Sequence, residues 1–524
     1  MSMGILEMDS ENMCVDIEDG VGMEVINFDL GEMDLKYSAL REIYLGAKYS
    51  LVISDFARNN IEESHKIVLE KIEEGTRIYG VNTGFGKLVT KDIDKSDLPE
   101  LQRRLILSHS TAVGDICTTK VINLFNVLKL HSLSKGFCGI SYQTVSKLVH
   151  LINLGWLPQI PEKGSVGACG DLAPMAQWAA TWLGYGQVSI KNKIMSSEEG
   201  LKICSVEKLS LEPKDGLSII NGTQYSQALA LSSLFKLEQS FSNYLLACAL
   251  SIEAVSNNIS FLDSHVQNMH PHKTQVEVAA KLRSLVNYDH REINSADEQD
   301  PYSIRCIPQV VGACLNNIKN AKEQILQEAN SVTDNPIVDM KNRRLLSGGN
   351  FHGQYIAYAA DSIAVAIAEL GSISERRIAC MVGGDVPELE KFLIKNAGLN
   401  SGFMIMHVTA SALVSENKHL ANPLSTDSIP TSANQEDHVS MSTNAVLRLE
   451  RMIDNLNIII AIESLCAVQA LSLRGKTVQN ISLEKFNRKL IDNIGFFEED
   501  RYMGGIIEKV CELIETEELL GELF

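Results

Sequence analysis

Thr223–Asn257 reads TQYSQALALSSLFKLEQSFSNYLLACALSIEAVSN, a long and largely apolar stretch with no proline or glycine. Nothing in it stops a helix. A helix this long and this apolar belongs inside a protein, packed against others of its kind. The same reading extends outward along the chain. Gly353–Ile378 and Ser440–Leu473 read as further long helices. Val311, Leu315, Ile318 and Ile325 mark another, broken near Asn335-Pro336. Towards the N-terminus, Ile61, Val68, Leu69 and Ile72 form a 3.6-residue stripe in Ile61–Glu74, and Gly75 is a natural stop. Strand signals are sparse, with short strands expected near Val188–Met195 and around the N-terminal loops. The expected fold is mainly α, an N-terminal region followed by a central bundle of long helices.

Length and charge bound the rest. The 524 residues can bury a large core. Residues 1–34 hold ten acidic side chains and no Lys or Arg, which reads as a flexible, solvated extension and as neither a signal nor a transit peptide. Residues 35–220 are expected to form the N-terminal domain, and 221–524 the long-helix bundle with a C-terminal helical region. The formal net charge is −19 and no long basic cluster occurs, so nucleic acid and anionic membrane are poor partners. No uninterrupted apolar run of about twenty residues argues for a membrane span. The eleven cysteines are scattered, with no C-x-x-C pair, a pattern that points to reduced thiols in the cytoplasm. His270 and His272 lack an Asp, Glu or Cys partner at zinc spacing, so no metal site is expected.

Polar, glycine- or proline-bearing loops separate the helices: Tyr79–Leu88, Gly164–Asp171, Ala296–Pro308 and Leu424–His438. Such loops on a rigid scaffold are where chemistry usually sits. Gly164–Pro174 reads GSVGACGDLAP. Within it, Ala168-Cys169-Gly170 can close on itself. The Gly170 nitrogen attacks the Ala168 carbonyl, water is lost, and residue 169 sheds its β-heteroatom. The product is a methylidene-imidazolone ring made from the chain alone, with no external cofactor. Glycines 164, 167 and 170 free the backbone for this, and Asp171 and Pro174 suit a helix start. The plain alternative is that Cys169 stays a thiol in a tight turn.

Other polar residues stand out as well. Tyr79 opens YGVNTGFG and by itself reads as a packed tyrosine in a surface loop; a phenol acts as a base only with its pKa depressed from about 10. His109, in LSHS after Ser108, by itself reads as a structural histidine. Asn221 can donate and accept, so it suits a carboxylate or a ring oxygen, or it caps the following helix. Arg305, in QDPYSIR with Gln299 and Tyr302, offers a planar fork for a carboxylate or forms a surface ion pair. Phe351 packs on an aromatic ligand or on the core. Glu436 bonds an imidazole N–H or stabilises a helix start.

These runs resemble the aromatic amino-acid ammonia-lyases and aminomutases from Tyr79 to Met441, with one departure: Cys169 stands where that family has serine. Ser108-His109 and the acidic QEDH run containing Glu436 resemble the histidine-specific members. The resemblance implies an all-helical homotetramer with each site assembled from three subunits. It implies elimination of ammonia from L-histidine to give urocanate. In that picture the α-amine adds to the ring carbon derived from residue 169, and Tyr79 takes the β-proton. Arg305 holds the carboxylate with Asn221 and Tyr302, Gln299 and Phe351 line the site, and His109 and Glu436 orient the imidazole. Two rivals stand beside it: a 2,3-aminomutase or a lyase of another aromatic amino acid, and a non-catalytic helical scaffold with Cys169 uncyclised.

Overall fold

A computed structural model describes residues 25–256, 258–288, 299–384 and 386–515. Strand β1 (Ile26–Leu30) pairs in parallel with β2 (Tyr49–Ile53), and α1 (Tyr37–Tyr44) makes the crossover. Phe28 and Leu30 are buried. The acidic extension expected over residues 1–34 is therefore structured at 26–30, because its alternating apolar residues reach the core. Residues 1–24 lie outside the described residues.

The N-terminal region continues with α2 (Asp55–Glu73), α3 (Leu98–His109), α4 (Thr119–Ser134) and α5 (Tyr142–Asn153). Ser54 caps α2 by accepting from the Ala57 N–H at 3.2 Å, and Gly75 ends it at φ +75°. Strands β3 (Val113–Ile116), β4 (Leu157–Pro158) and β5 (Pro161–Lys163) precede α6 (Leu172–Trp182). The hairpin β6 (Gln187–Ile190)–β7 (Lys193–Ser196) fills the stretch read as strand; Lys191 and Asn192, both at positive φ, make its turn. Helices α7 (Ser197–Ile203) and α8 (Asp215–Ile220) close the region.

Helix α9 (Gln224–Val255) starts the bundle. After α10 (Ser264–Asn268) and α11 (Lys273–Leu285), the stretch expected to be loop over 296–308 contains α12 (Tyr302–Arg305) and the start of α13 (Ile307–Ala329). Pro308 sits in the first turn of α13, where its fixed φ favours helix and its missing N–H is not needed. A small hairpin, β8 (Ile337–Asp339) and β9 (Arg344–Leu346), leads to α14 (Gln354–Gly383), α15 (Met404–Leu420), α16 (Ser442–Leu473), α17 (Ile481–Ile494) and α18 (Ile506–Glu515). Helices α14 and α16 are long and apolar enough to cross a membrane. Their most apolar windows are instead 72% and 83% buried inside the protein, against each other and α9. In their midst Arg377 is bidentate to Glu463, at 2.6 and 2.8 Å. One hydrophobic core runs from Phe28 to Ile514 and crosses the turn at residues 220–221 where a domain boundary was expected.

Candidate active site

Three bundle helices begin at one loop. The Gly222 carbonyl, just ahead of α9, accepts from the Asp171 N–H at 2.9 Å. The Gly167 carbonyl accepts from the N–H of Gly353, the residue capping α14, at 3.2 Å and from Ser440 Oγ at 2.9 Å. The Val166 carbonyl accepts from the N–H of Met441, which precedes α16, at 2.8 Å. The positive ends of three helix dipoles thus converge on Val166–Asp171 and favour negative charge developing there.

Asp171 ties this junction together. Its Oδ1 accepts from Thr443 Oγ1 at 2.6 Å and Ser165 Oγ at 3.0 Å; its Oδ2 accepts from the Ser226 N–H at 2.8 Å and Ser226 Oγ at 2.9 Å. Asp171 occupies the position before α6, as expected, but its side chain does not cap that helix. Burial pushes its carboxyl up, and the Thr443 and Ser226 donors pull it back.

The loop admits only glycine at two points. At Gly170 (φ +70°) a Cβ would lie 1.9 Å from the Gly222 oxygen, and at Gly167 (φ +65°) 2.2 Å from Ser442 Oγ. Ala168 is buried against Val439 and Met441. Among the described residues no hydrogen bond engages the Gly170 N–H, and the buried Asn221 Oδ1 and Ser442 Oγ have no partner. A small residue, a β-heteroatom and an uncommitted glycine nitrogen, held beside unfilled polar atoms, fit the ring closure.

Cys169 faces a polar cluster. Its thiol donates to Glu436 Oε1 at 3.1 Å. Burial first, then the Glu436 carboxylate, push the thiol pKa well up, so it is protonated. Glu436 does not lie at a helix start: it pairs with Thr431 across a loop bridge, its carbonyl accepting from the Thr431 N–H at 2.9 Å, and its Oε2 accepts from Thr431 Oγ1. His109 ends α3. Its Nδ1 lies 2.8 Å from the Leu105 carbonyl, which can only accept, so Nδ1 carries the hydrogen and Nε2 is left as an acceptor. Burial lowers the His109 pKa against the pull of its Leu105 bond and Glu436. The Ser108 hydroxyl donates to Leu105 at 3.1 Å and touches His109 Nδ1 at 3.0 Å, so it braces the histidine.

Tyr79 accepts from the Gly86 N–H at 3.0 Å and packs edge-on to Phe85. Its pKa is raised where depression was expected. Burial dominates; the Gly86 N–H opposes it, while Cys169 and Glu436 push further up. Those two acidic neighbours were invisible in the sequence around Tyr79. Asn221 likewise does not cap α9. It ends α8, and its Nδ2 donates to Asp334 Oδ1 at 3.1 Å and to the Asn335 carbonyl at 3.0 Å. Phe351 is half-buried in the turn before Gly353; the neighbouring His352 ring stacks on His438, 5.6 Å apart.

A second group stands apart. The exposed Arg305 guanidinium donates to Gln299 Oε1 and lies 4.7 Å over the Tyr302 ring. Tyr302 is 71% exposed. Among the described residues no hydrogen bond or ion pair joins this trio to the group of Tyr79, His109, Cys169 and Glu436.

Residues 35–494 match the family model for aromatic amino acid lyases. The chain belongs to the aromatic amino acid lyase family. The match spans every residue of both groups. A histidine ammonia-lyase of Shewanella woodyi is 44% identical over 487 residues, 92% of this chain and 95% of the relative. The crystal structure of a histidine ammonia-lyase from Trypanosoma cruzi shares 36% identity at a TM-score of 0.84, covering 94% of this chain and 93% of that one. A phenylalanine aminomutase of Pantoea agglomerans shares 27% identity at a TM-score of 0.87, over 94% and 99% of the two chains. In this ammonia-lyase the sequence reading overlooked Thr443, Ser440 and Asp334. Ser440 and Thr443 lie at the start of a helix that reads as core. The polar TDNP run around Asp334 was read only as a helix break.

Proposed function

We propose that this ammonia-lyase eliminates ammonia from L-histidine to give urocanate. One observation carries the choice of substrate: the residue-169 thiol touches Glu436, and Glu436 in turn acts on His109. Two polar groups therefore meet the ligand where a phenylalanine site would want apolar ones. Formed from Ala168, Cys169 and Gly170, the methylidene-imidazolone ring supplies an electrophilic carbon that makes the α-amino group a better leaving group.

The chain's own residues do the rest. Arg305 holds the α-carboxylate through its planar fork, with Tyr302 and Gln299 beside it. Glu436 and the His109 Nε2 take the imidazole, and Phe351 packs on its face. Tyr79 receives the β-proton. Gln299, Tyr302 and Arg305 stand apart from Cys169 within one chain, which supports a site completed by residues of other subunits; the family resemblance implies three subunits of a homotetramer. The scattered thiols and acidic surface suit a cytoplasmic enzyme with no nucleic-acid or membrane partner. The 2,3-aminomutase alternative uses the same residues but returns ammonia to the β-carbon.

Intact mass and product absorbance test this. The mature chain should be lighter than its translated mass by about 52 Da, water plus hydrogen sulfide. L-histidine should be strongly preferred over L-phenylalanine and L-tyrosine, and His109→Leu with Glu436→Gln should erode that preference by about tenfold or more. An unmodified mass with Cys169 open to alkylation leaves only the scaffold. Equal activity on phenylalanine removes the roles of His109 and Glu436, and β-histidine as main product makes the protein an aminomutase.

A further inference from the structure

We propose that Asp334 is a positioning residue that fixes Asn221 as a hydrogen-bond acceptor for the substrate's α-amino group. The inference rests on the histidine ammonia-lyase reading and adds the polarity of one side chain.

Asn221 has no freedom in its amide. Both partners of Nδ2, Asp334 Oδ1 at 3.1 Å and the Asn335 carbonyl at 3.0 Å, are pure acceptors. The nitrogen must face them, which settles the orientation that an amide otherwise leaves open. The backbone is held too: the Asn221 N–H donates to Leu217 at 3.0 Å, and its carbonyl accepts from Lys129 Nζ at 2.7 Å. Lys129 is fully buried, and burial lowers its pKa to about 8.

Asp334 is fixed from the other side. Its Oδ2 accepts from Lys214 Nζ at 2.7 Å and Ser218 Oγ at 3.3 Å, and its Oδ1 also takes the Asn335 N–H at 2.7 Å. Lys214 and Asp334 are 0% and 3% exposed. Lys214 and Asn221, which flank α8, and Ser218 within it all meet this single carboxylate.

The outcome is a lone acceptor. Asn221 Oδ1 is buried without a partner, on the residue preceding Gly222, whose backbone lies against Gly170. A carboxylate brought to it would be repelled, so Asn221 does not share the α-carboxylate with Arg305, nor can it donate to a ring oxygen. L-histidine carries donors at two places. Its ring N–H meets His109 and Glu436; its α-amino group is left, and that group must approach residue 169 beside Gly170.

The test is Asp334→Asn in the full-length protein, followed by the exchange Asn221→Asp/Asp334→Asn. In the single variant the new amide gives its oxygen to Lys214 and its N–H to Asn221, so only the Asn335 carbonyl still holds the Asn221 nitrogen inward and the oxygen is no longer fixed toward the substrate. The mass deficit should persist and KM for L-histidine should stay within about threefold, while kcat falls about ten- to a hundredfold. The exchange returns an oxygen to the site and should recover about tenfold of that loss. A wild-type kcat in Asp334→Asn overturns the proposal, as does an exchange variant no better than the single one. If Asp334→Asn does not fold, the exchange variant decides alone: activity within about tenfold of wild type supports the acceptor, and activity at background overturns it. A wild-type protein that keeps its full mass and leaves histidine untouched fails the parent reading instead.

Discussion

The loop at Val166–Asp171 and the turn at Gln299–Arg305 are built on opposite principles. The first is buried and over-determined: three helix starts hold its carbonyls and N–H groups, Asp171 accepts four hydrogen bonds, and two glycines leave no room for a methyl group. The second is anchored by buried Ile304 and by bonds from Ser256 and Arg377, but its polar side chains are more open and contact one another, Arg305 on Gln299 and over Tyr302. The proposed closure between neighbouring backbone atoms needs fixed geometry before any ligand arrives, and the contacts that fix this loop come from one chain. The carboxylate clamp proposed at Arg305 would work on a ligand that brings its own charge, so it can come from a surface that meets the site from outside. The difference predicts that loop substitutions abolish maturation and clamp substitutions spare it.

The strongest way to break that contrast is Gly170→Ala. The Cβ would overlap the Gly222 oxygen, and the positive φ adds strain of about 1–3 kcal/mol. We expect no mass deficit, and activity down by at least about a thousandfold. A Gly170→Ala protein that still loses about 52 Da would show the loop to be far softer than its contacts imply.

Arg305 gives the complementary case. Arg305→Ala should lower kcat/KM by about ten- to over a hundredfold, and Arg305→Lys by less, because lysine keeps the charge and loses the fork. Intact mass should match the wild type in both. A lost mass deficit in either variant would tie the clamp to maturation and remove the contrast.

The smallest effect is on stability. Burial raises the Asp171 pKa above its unfolded value. Such a group contributes stability that is present below the unfolded pKa of about 3.9 and lost as pH rises through the folded value. Thr443→Val removes one of its donors and raises that pKa further. The variant should lose about 1 kcal/mol at neutral pH and less near pH 4, read by urea unfolding at the two values. An equal deficit at both would mean that Thr443 acts through packing.

Much of the frame was legible in the chain. The stretch read as helix from Thr223 appears as Gln224–Val255, and that from Ser440 as Ser442–Leu473, since long apolar runs without proline or glycine have few alternatives to a buried helix. The turn at Arg305 was less legible. Its short helix carries too few residues to show a period, and it was read as loop. Strand β1 hid inside an acidic stretch whose charge outweighed its five-residue alternation.

The sequence by itself determined which residue types could do the proposed chemistry: the Ala168-Cys169-Gly170 triplet, the Arg305 fork, and the polar pair His109 and Glu436. Reactivity of that kind is a property of the side chain and its immediate neighbours along the backbone. Only the tertiary structure decided how those groups are biased. Tyr79 is pushed up by burial first and then by residues 169 and 436 that folding brings to it, Asp171 is shared between α9 and α16, and Asn221 is turned into an acceptor by Asp334, 113 positions away. Hydrogen-bond polarity and pKa depend on partners brought together by folding, and no local spacing in the chain records them.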